Sequence, residues 1–275
     1  MSALVKALNI LNAVAKAPEP LSVSEIARSL GFNRSLVSKV LRVFDQSSLL
    51  TQNSTTKKYG PGVSSFLLGI KYLRHLEVGR VGAPVLRQVV DATGHSAAIG
   101  IMHADAVLHV LALEGRTPLD LRLRVGEPLP VHASSAGRVL LAFKPRPFTD
   151  ELLARRRLVR FTPRTCCDLT AYKRSLRQVR ATGFSISRGE RIPGLAAIAV
   201  PAFGQGSHIA CSLALIFQDE AVPKKRERQL VNELHVFGQL LSARLGAEVY
   251  PFGNGMIPAA LARRNPRSHP SKKVQ

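Results

Sequence analysis

The chain has 275 residues, with 39 Lys and Arg against 18 Asp and Glu, a formal charge of +21 and 45% hydrophobic content. Length and apolar fraction predict about two packed domains, and the charge predicts attraction to a polyanion, since neutralising phosphates releases counterions. No apolar run approaches the roughly 20 residues that span a bilayer, the N-terminus lacks the pattern of a secretory leader, and three cysteines, two of them adjacent at Cys166 and Cys167, imply no structural disulfide; a cytoplasmic protein without membrane contact is expected.

Leu4, Leu8, Leu11 and Val14 recur at helical spacing and predict a first helix over residues 4 to 15. Ser22 and Glu25 then form an S-x-x-E capping box, with Leu21 and Ile26 at the positions of a hydrophobic staple, so a second helix starts at Ser22 and runs through Val23, Ile26, Ala27 and Leu30 to a left-handed stop at Gly31. Asn33 is the next N-cap candidate. In the third helix Leu36, Val37, Val40, Leu41 and Phe44 form an apolar stripe, and Arg34, Ser35, Ser38, Lys39 and Arg42 fall on the opposite face. Two helices joined by a tight turn, the second carrying short hydroxyls and long cations, match a helix-turn-helix that enters a major groove: hydroxyls permit close approach, and Arg and Lys reach guanine edges or phosphates. The segment LLTQNSTTKKYGPG predicts two short strands about a polar tip at 53 to 56, with Lys57 and Lys58 on the return strand, which is a wing adding backbone or minor-groove contacts. The candidate DNA-contacting residues are Ser24, Asn33, Arg34, Ser35, Ser38, Lys39, Arg42, Lys57 and Lys58. Charge alone does not locate this site, because residues 79 to 250 also carry 24 Lys and Arg against 14 acids.

Beyond the wing, Val63, Phe66, Leu67, Ile70 and Leu73 repeat at helical spacing on a linker helix, where a partner subunit is the expected cover. Pro84 is placed within the first turns of the next helix, whose Val85, Leu86, Val89 and Val90 face a core. From His95 the period changes. SAAIGIMH, AVLHVLALE, DLRLRV, LAAIAVPAF and HIACSLALIF are β-prone runs, with helices at about 135 to 143, 148 to 157, 169 to 182 and 223 to 247. The fold class is α+β, with a winged helix-turn-helix over 1–60, a linker and dimerisation helix over 61–78, a mostly antiparallel sheet flanked by helices over 79–250, and a basic, proline-rich disordered tail over 251–275. In HASSAGR, small residues lead into a helix whose free N–H groups suit an anion such as a carboxylate.

The segments ALNILNAVAKAPEPLSVSEIARSLGFNRSLVSKVLRVFDQSSLL, PLPVHASSAGRVLLAF, ATGFSISRGERIPGLAAIAVPAF and HIACSLALIF resemble those of IclR-type transcriptional regulators over residues 3 to 248. The resemblance implies a winged helix-turn-helix, a dimerising linker helix and a GAF-like domain that binds a small metabolite, in a dimer or a dimer of dimers. It places the amides of Ser135 and Ala136 against a ligand acid group, with Leu121 and Leu129 walling the cavity. Glu190, Gly194 and the strand Leu195 to Val200, including Ala197, supply the opposite wall, with Ser212 inside. Ala197, Leu213 and Leu215, where some acid-binding members carry polar groups, point to a larger or more apolar ligand: an aromatic or phenylpropanoid acid first, a short oxo-acid second.

The expected function is a ligand-responsive regulator of a catabolic operon that binds a double-stranded operator. An architectural DNA binder and a hydrolytic enzyme are the competing classes. The large sheet-rich C-terminal half argues against the first. Against the second, there is no H-E-x-x-H, zinc-spaced Cys pair, G-x-S-x-G, P-loop or dinucleotide fingerprint, so no catalytic residue, metal or cofactor is assigned. His132 beside Ser134 and Ser135 has no identifiable third group.

Overall fold

In the computed structural model, residues 1–116, 119 and 125–252 are described, and they divide into a unit of Met1–Leu76 and one that begins at Glu77. The first unit opens with α1 (Ala3–Lys16), α2 (Val23–Leu30) and α3 (Arg34–Gln46). Their boundaries follow from local chemistry. The Ser22 hydroxyl accepts from Glu25 N–H at 3.3 Å, while the Glu25 carboxylate accepts from Ser22 N–H at 2.7 Å. Gly31 ends α2 at φ 65°, and Asn33 caps α3 by accepting from Ser35 N–H at 2.8 Å. Ile10, Val14, Ile26, Ala27, Val37 and Leu41 pack into one core, closed by Leu50 and Tyr59 of a hairpin. In α1 the inward residues are Ile10 and Val14, while Leu4 and Leu8 of the expected stripe are exposed.

The hairpin pairs β1 (Leu50–Gln52) with β2 (Tyr59–Pro61), and Leu21 bridges to Tyr59 as a third edge. Lys57 and Lys58 lie in the connecting turn and not on the return strand, which corrects the expectation. Asn53 Oδ1 accepts from the N–H groups of Thr55 and Thr56, and Lys57 adopts φ 56°, so the chain becomes extended only at Tyr59. Next comes α4 (Val63–His75), anchored where the Ser64 and Ser65 hydroxyls donate to the carbonyls of Ser47 and Leu49.

The second unit begins with α5 (Glu77–Thr93), in which Pro84 is the eighth residue and interior, not in the opening turn; the helix starts earlier than its apolar pattern suggests, and the Arg80 carbonyl loses its usual donor. Val85, Leu86, Val89 and Val90 are buried as expected. Strands β3 (Ser96–His103), β4 (Ala106–Leu113), β5 (Pro128–Pro130), β6 (Ser185–Arg188), β7 (Leu195–Phe203) and β8 (Ile209–Gln218) form one antiparallel sheet in the order β5-β4-β3-β8-β7-β6. The three-residue β5 is too short to show an alternation, β6 alternates in burial over only four residues, and DLRLRV falls outside the described residues except for Val125, which lies in a turn. Helices α6 (Ser135–Phe143), α7 (Arg146–Arg155), α8 (Leu169–Thr182) and α9 (Lys224–Arg244) complete the unit, with Pro223 capping α9 from outside it. The tail expected to be disordered lies outside the described residues from residue 253 onward. No helix among the described residues is long and apolar enough to cross a membrane.

The two sheet faces have different covers. Ladder partners share a face, so Ile198 with Leu215 and Val200 with Leu213 lie together; Gly238 of α9 passes so near Val200 that a Cβ would stand 3.0 Å from its methyl. Ala197 with Ile216 and Ala199 with Ala214 occupy the opposite face, where α6 packs. Every residue of α6 from Ser135 to Ala142 is buried. Its first turn meets the short 3-10 turn Val131–Ala133 so closely that a Cβ on Gly137 would fall 2.2 Å from the Val131 carbonyl oxygen, which Tyr172 OH also holds at 3.1 Å. Gly137→Ala should therefore force the backbone apart and lower stability by roughly 2–4 kcal/mol in urea unfolding, whereas an unchanged midpoint would show that the turn retreats freely.

Candidate DNA interface and ligand cavity

On α3, Arg34, Ser35, Lys39 and Arg42 are exposed and Ser38 is half-buried, all on the side away from Val37 and Leu41. None of the three cations forms an ion pair among the described residues, so each is available to a phosphate or a base edge. Asn33 is engaged by the cap, accepting also from the Ser35 hydroxyl at 2.8 Å, and Ser24 is half-buried on α2. Lys58 stands 3.5 Å from Glu25, which ties the wing turn to the capping box; the hydrogen bond from Ser22 N–H is the first cause holding the Glu25 carboxyl below its ordinary range. Lys57 is exposed at the turn.

In the second unit a cavity of about 460 Å³ lies between the α6 start, the sheet and the segment after β6. Of the expected residues, Leu129, Ser135, Ala136, Glu190 and Ala197 line it. Gly194, at φ 76°, does not: it borders a separate surface groove. Ser212 does not reach the cavity either, because its hydroxyl is fully buried and donates to the Gly100 carbonyl at 3.3 Å. Leu213 and Leu215 point to the α9 face, so they say nothing about ligand polarity. Leu121 lies outside the described residues.

The lining chemistry is built by α6. Ser134 caps it, accepting from Gly137 N–H at 3.1 Å, which leaves the amides of Ser135 and Ala136 as first-turn donors that the helix does not use. Glu190 is held in a bidentate pair by Arg138, with 2.8 and 2.7 Å contacts, and the guanidinium also donates to the Ser185 hydroxyl and the Ile186 carbonyl. With side chains only 7% and 13% exposed, the pair is a frame element, and Glu190 presents a satisfied carboxylate to the cavity. His132, whose Nε2 lies 2.9 Å from the Val159 carbonyl, is engaged with backbone beside Phe161 and makes no triad with the serines.

Sequence reasoning missed the polar lining residues His109, Glu127, Ser187 and Arg191 and the apolar Ile192, Ala214 and Ile216. His109 interrupts the apolar run AVLHVLAL on β4, a visible signal had the strand's inward face been known. Its imidazole is 7% exposed, and burial, followed by the positive charge of Arg191, pulls its pKa down to about 4. Arg191 bridges to Glu127 at 3.1 Å.

The N-terminal residues 3–54 match the IclR helix-turn-helix domain, and residues 70–243 match the bacterial transcriptional regulator IclR C-terminal domain. The chain belongs to the IclR family of bacterial transcriptional regulators. It is similar to the HTH-type transcriptional regulator BhcR of Paracoccus denitrificans, 31% identical over 78% of this chain and 76% of the relative, and to the HTH-type transcriptional regulator KdgR of Escherichia coli, 25% identical over 92% and 95%. Its fold matches the crystal structure of an IclR homologue with 4-hydroxybenzoate from Microbacterium hydrocarbonoxydans, with a TM-score of 0.75 and 22% identity over 89% of this chain and 99% of that one. These IclR relatives are named as regulators, not enzymes.

Neutral buried histidines set a pH dependence. His109 and His235 both have pKa values lowered from 6.5 to about 4, chiefly by burial, so below 6.5 the unfolded chain takes up protons that the native rings refuse. Stability should be fully present above pH 6.5 and fall as pH drops toward 4, by up to about 3 kcal/mol per ring. Urea midpoints across that range should show the slope, and His109→Gln should flatten part of it.

Proposed function

We propose that this IclR-family protein binds an operator through the outward face of α3 and the wing turn, and that a small organic acid in the α6 cavity alters operator affinity, controlling a catabolic operon. The observation that carries the ligand half is the cavity itself: the unused first-turn amides of Ser135 and Ala136 open into about 460 Å³ of space, and a helix N-terminus with free N–H groups favours a carboxylate. An aromatic acid is the first class to test, supported by the apolar wall from Leu129, Leu195, Ala197 and Ile216 and by the 4-hydroxybenzoate complex of a protein with the same fold. A short oxo-acid is the second.

Gel shifts provide the test. Lys39→Ala and Arg42→Ala should weaken operator binding by about 1–3 kcal/mol if the residue reads a base, and should weaken all duplexes and flatten the salt dependence if it meets a phosphate. Aromatic and oxo-acids that raise the melting temperature should shift operator affinity, with couplings of about 1–3 kcal/mol, and Ser135→Glu should remove that response by placing a carboxylate where the ligand's would sit. Parent-like DNA binding by both α3 variants, or a ligand response that ignores Ser135→Glu, would refute the corresponding half.

The same reading includes self-association. No residue of α4 is buried, and Phe66, Leu67, Leu68 and Tyr72 are 52% to 64% exposed, an apolar face that a second copy would cover while pairing two readers for two half-sites. Replacing Phe66 and Ile70 together with Asp should yield monomers in light scattering. Unchanged oligomers would place the interface elsewhere.

A further inference from the structure

Three of the polar side chains on the cavity wall have no hydrogen-bond partner. The imidazole of His109, 7% exposed, makes none among the described residues, and neither does the hydroxyl of Ser135, 2% exposed, or of Ser187, 8% exposed. None of these polar atoms is sealed inside the protein; each opens on the cavity, so a ligand that fills it has to meet them or strip them of water. Ser135 sits at the amide end of α6, already assigned to a carboxylate, whereas His109 stands on β4 and Ser187 on β6, with β3, β8 and β7 between them in the sheet. Room for the imidazole comes from Gly100, where a Cβ would lie 3.2 Å from His109 Cδ2 and 2.8 Å from a Val107 methyl. A ligand in this cavity therefore meets a second polar position besides its acid anchor.

We infer that His109 is the specificity-determining residue of the cavity and reads a hydroxyl, so that the effector is a hydroxylated carboxylic acid. This rests on the acid-binding reading of the α6 cavity above. A neutral imidazole offers one N–H donor and one acceptor nitrogen, and a hydroxyl answers either with a single atom, whereas a methyl answers neither and a carboxylate only accepts. Burial and the nearby Arg191 keep the ring uncharged at neutral pH, which removes the positive charge that a second carboxylate would need from it. Arg191 is the charged group that bears on the ring, and its own guanidinium is engaged by Glu127. The selectivity arises because an analogue without the hydroxyl strips water from the imidazole and puts no partner in its place.

The test uses the full-length protein and matched acids differing at one position. Butanoate, hexanoate and 3-phenylpropanoate are titrated calorimetrically beside their forms hydroxylated at each chain or ring position, and beside the dicarboxylates succinate and adipate. At least one hydroxylated form should bind about tenfold or more tightly than its parent. His109→Phe should erase or invert that preference, and His109→Gln, which retains a donor and an acceptor, should keep part of it. Melting curves confirm that each variant is folded, and the wild-type series stands independently of them. Parents that bind as tightly as all their hydroxylated forms, a preference that survives His109→Phe in a folded protein, or dicarboxylates that bind tightest and take up a proton would each overturn the assignment while leaving the acid pocket intact. Absence of binding by every acid would instead overturn the pocket reading and this inference with it.

Discussion

A helix covered on every side has to neutralise its own charge and occupy its own polar end, and α6 meets both demands in ways that organise the unit around it. Arg138 is its one ionised side chain. A guanidinium removed from water is tolerable only with a close, well-aligned anion and further acceptors. The bidentate Glu190 carboxylate, the Ser185 hydroxyl and the Ile186 carbonyl supply them, and in doing so they fix β6 and the segment after it against the helix. Thr162 and Thr165 reinforce this by donating to the Gly189 and Glu190 carbonyls at 2.7 and 2.6 Å. The cavity roof is thus placed by an ion pair within the frame, and the amide donors of α6 are left facing the space beneath it.

The DNA-reading unit is organised by shorter-range chemistry. Its first three helices start at side-chain caps and α2 stops at a left-handed glycine, so each of these boundaries is decided within about one turn of chain. The wing joins this scheme through Lys58, whose ammonium meets the same Glu25 carboxylate that closes the capping box. Exposed pairs of this kind are weak, so the side chain is free to exchange Glu25 for a phosphate.

What was legible in the sequence follows this division of range. The capping box, the Gly31 stop, Asn33, the outward stripe of α3 and the start of α6 were readable because each depends on residues a few positions apart. The wing lysines were misplaced because alternation cannot reveal that Asn53 folds back on Thr55 and Thr56 and delays the return strand to Tyr59. Leu213 and Leu215 were misassigned because a strand's alternation separates two faces without saying which one α6 covers; the ladder between β7 and β8 decides that, while Ser212, on the α6 face, is withdrawn by its bond to the Gly100 carbonyl. Glu190 was noticed through family likeness, but its role depends on Arg138, 52 positions earlier, a relation no local pattern carries. His109 carries no local signal of its place; only the pairing of β4 with β3 and β5 turns it toward the cavity.

The cavity floor is made largely of absent side chains: Ala197 and Ala214 on the α6 face, and Gly100 beneath the His109 ring. The frame that holds the cavity open, from Arg138 and Glu190 to the Val131 turn, involves none of these positions. Wall and frame are nonetheless only partly separate. Ala197 is only half-buried, so a larger side chain there would narrow the space beside Ser135 and Glu190. Ala214, 2% exposed, also belongs to the core beneath α6, where the same growth would strain the packing that folds the unit.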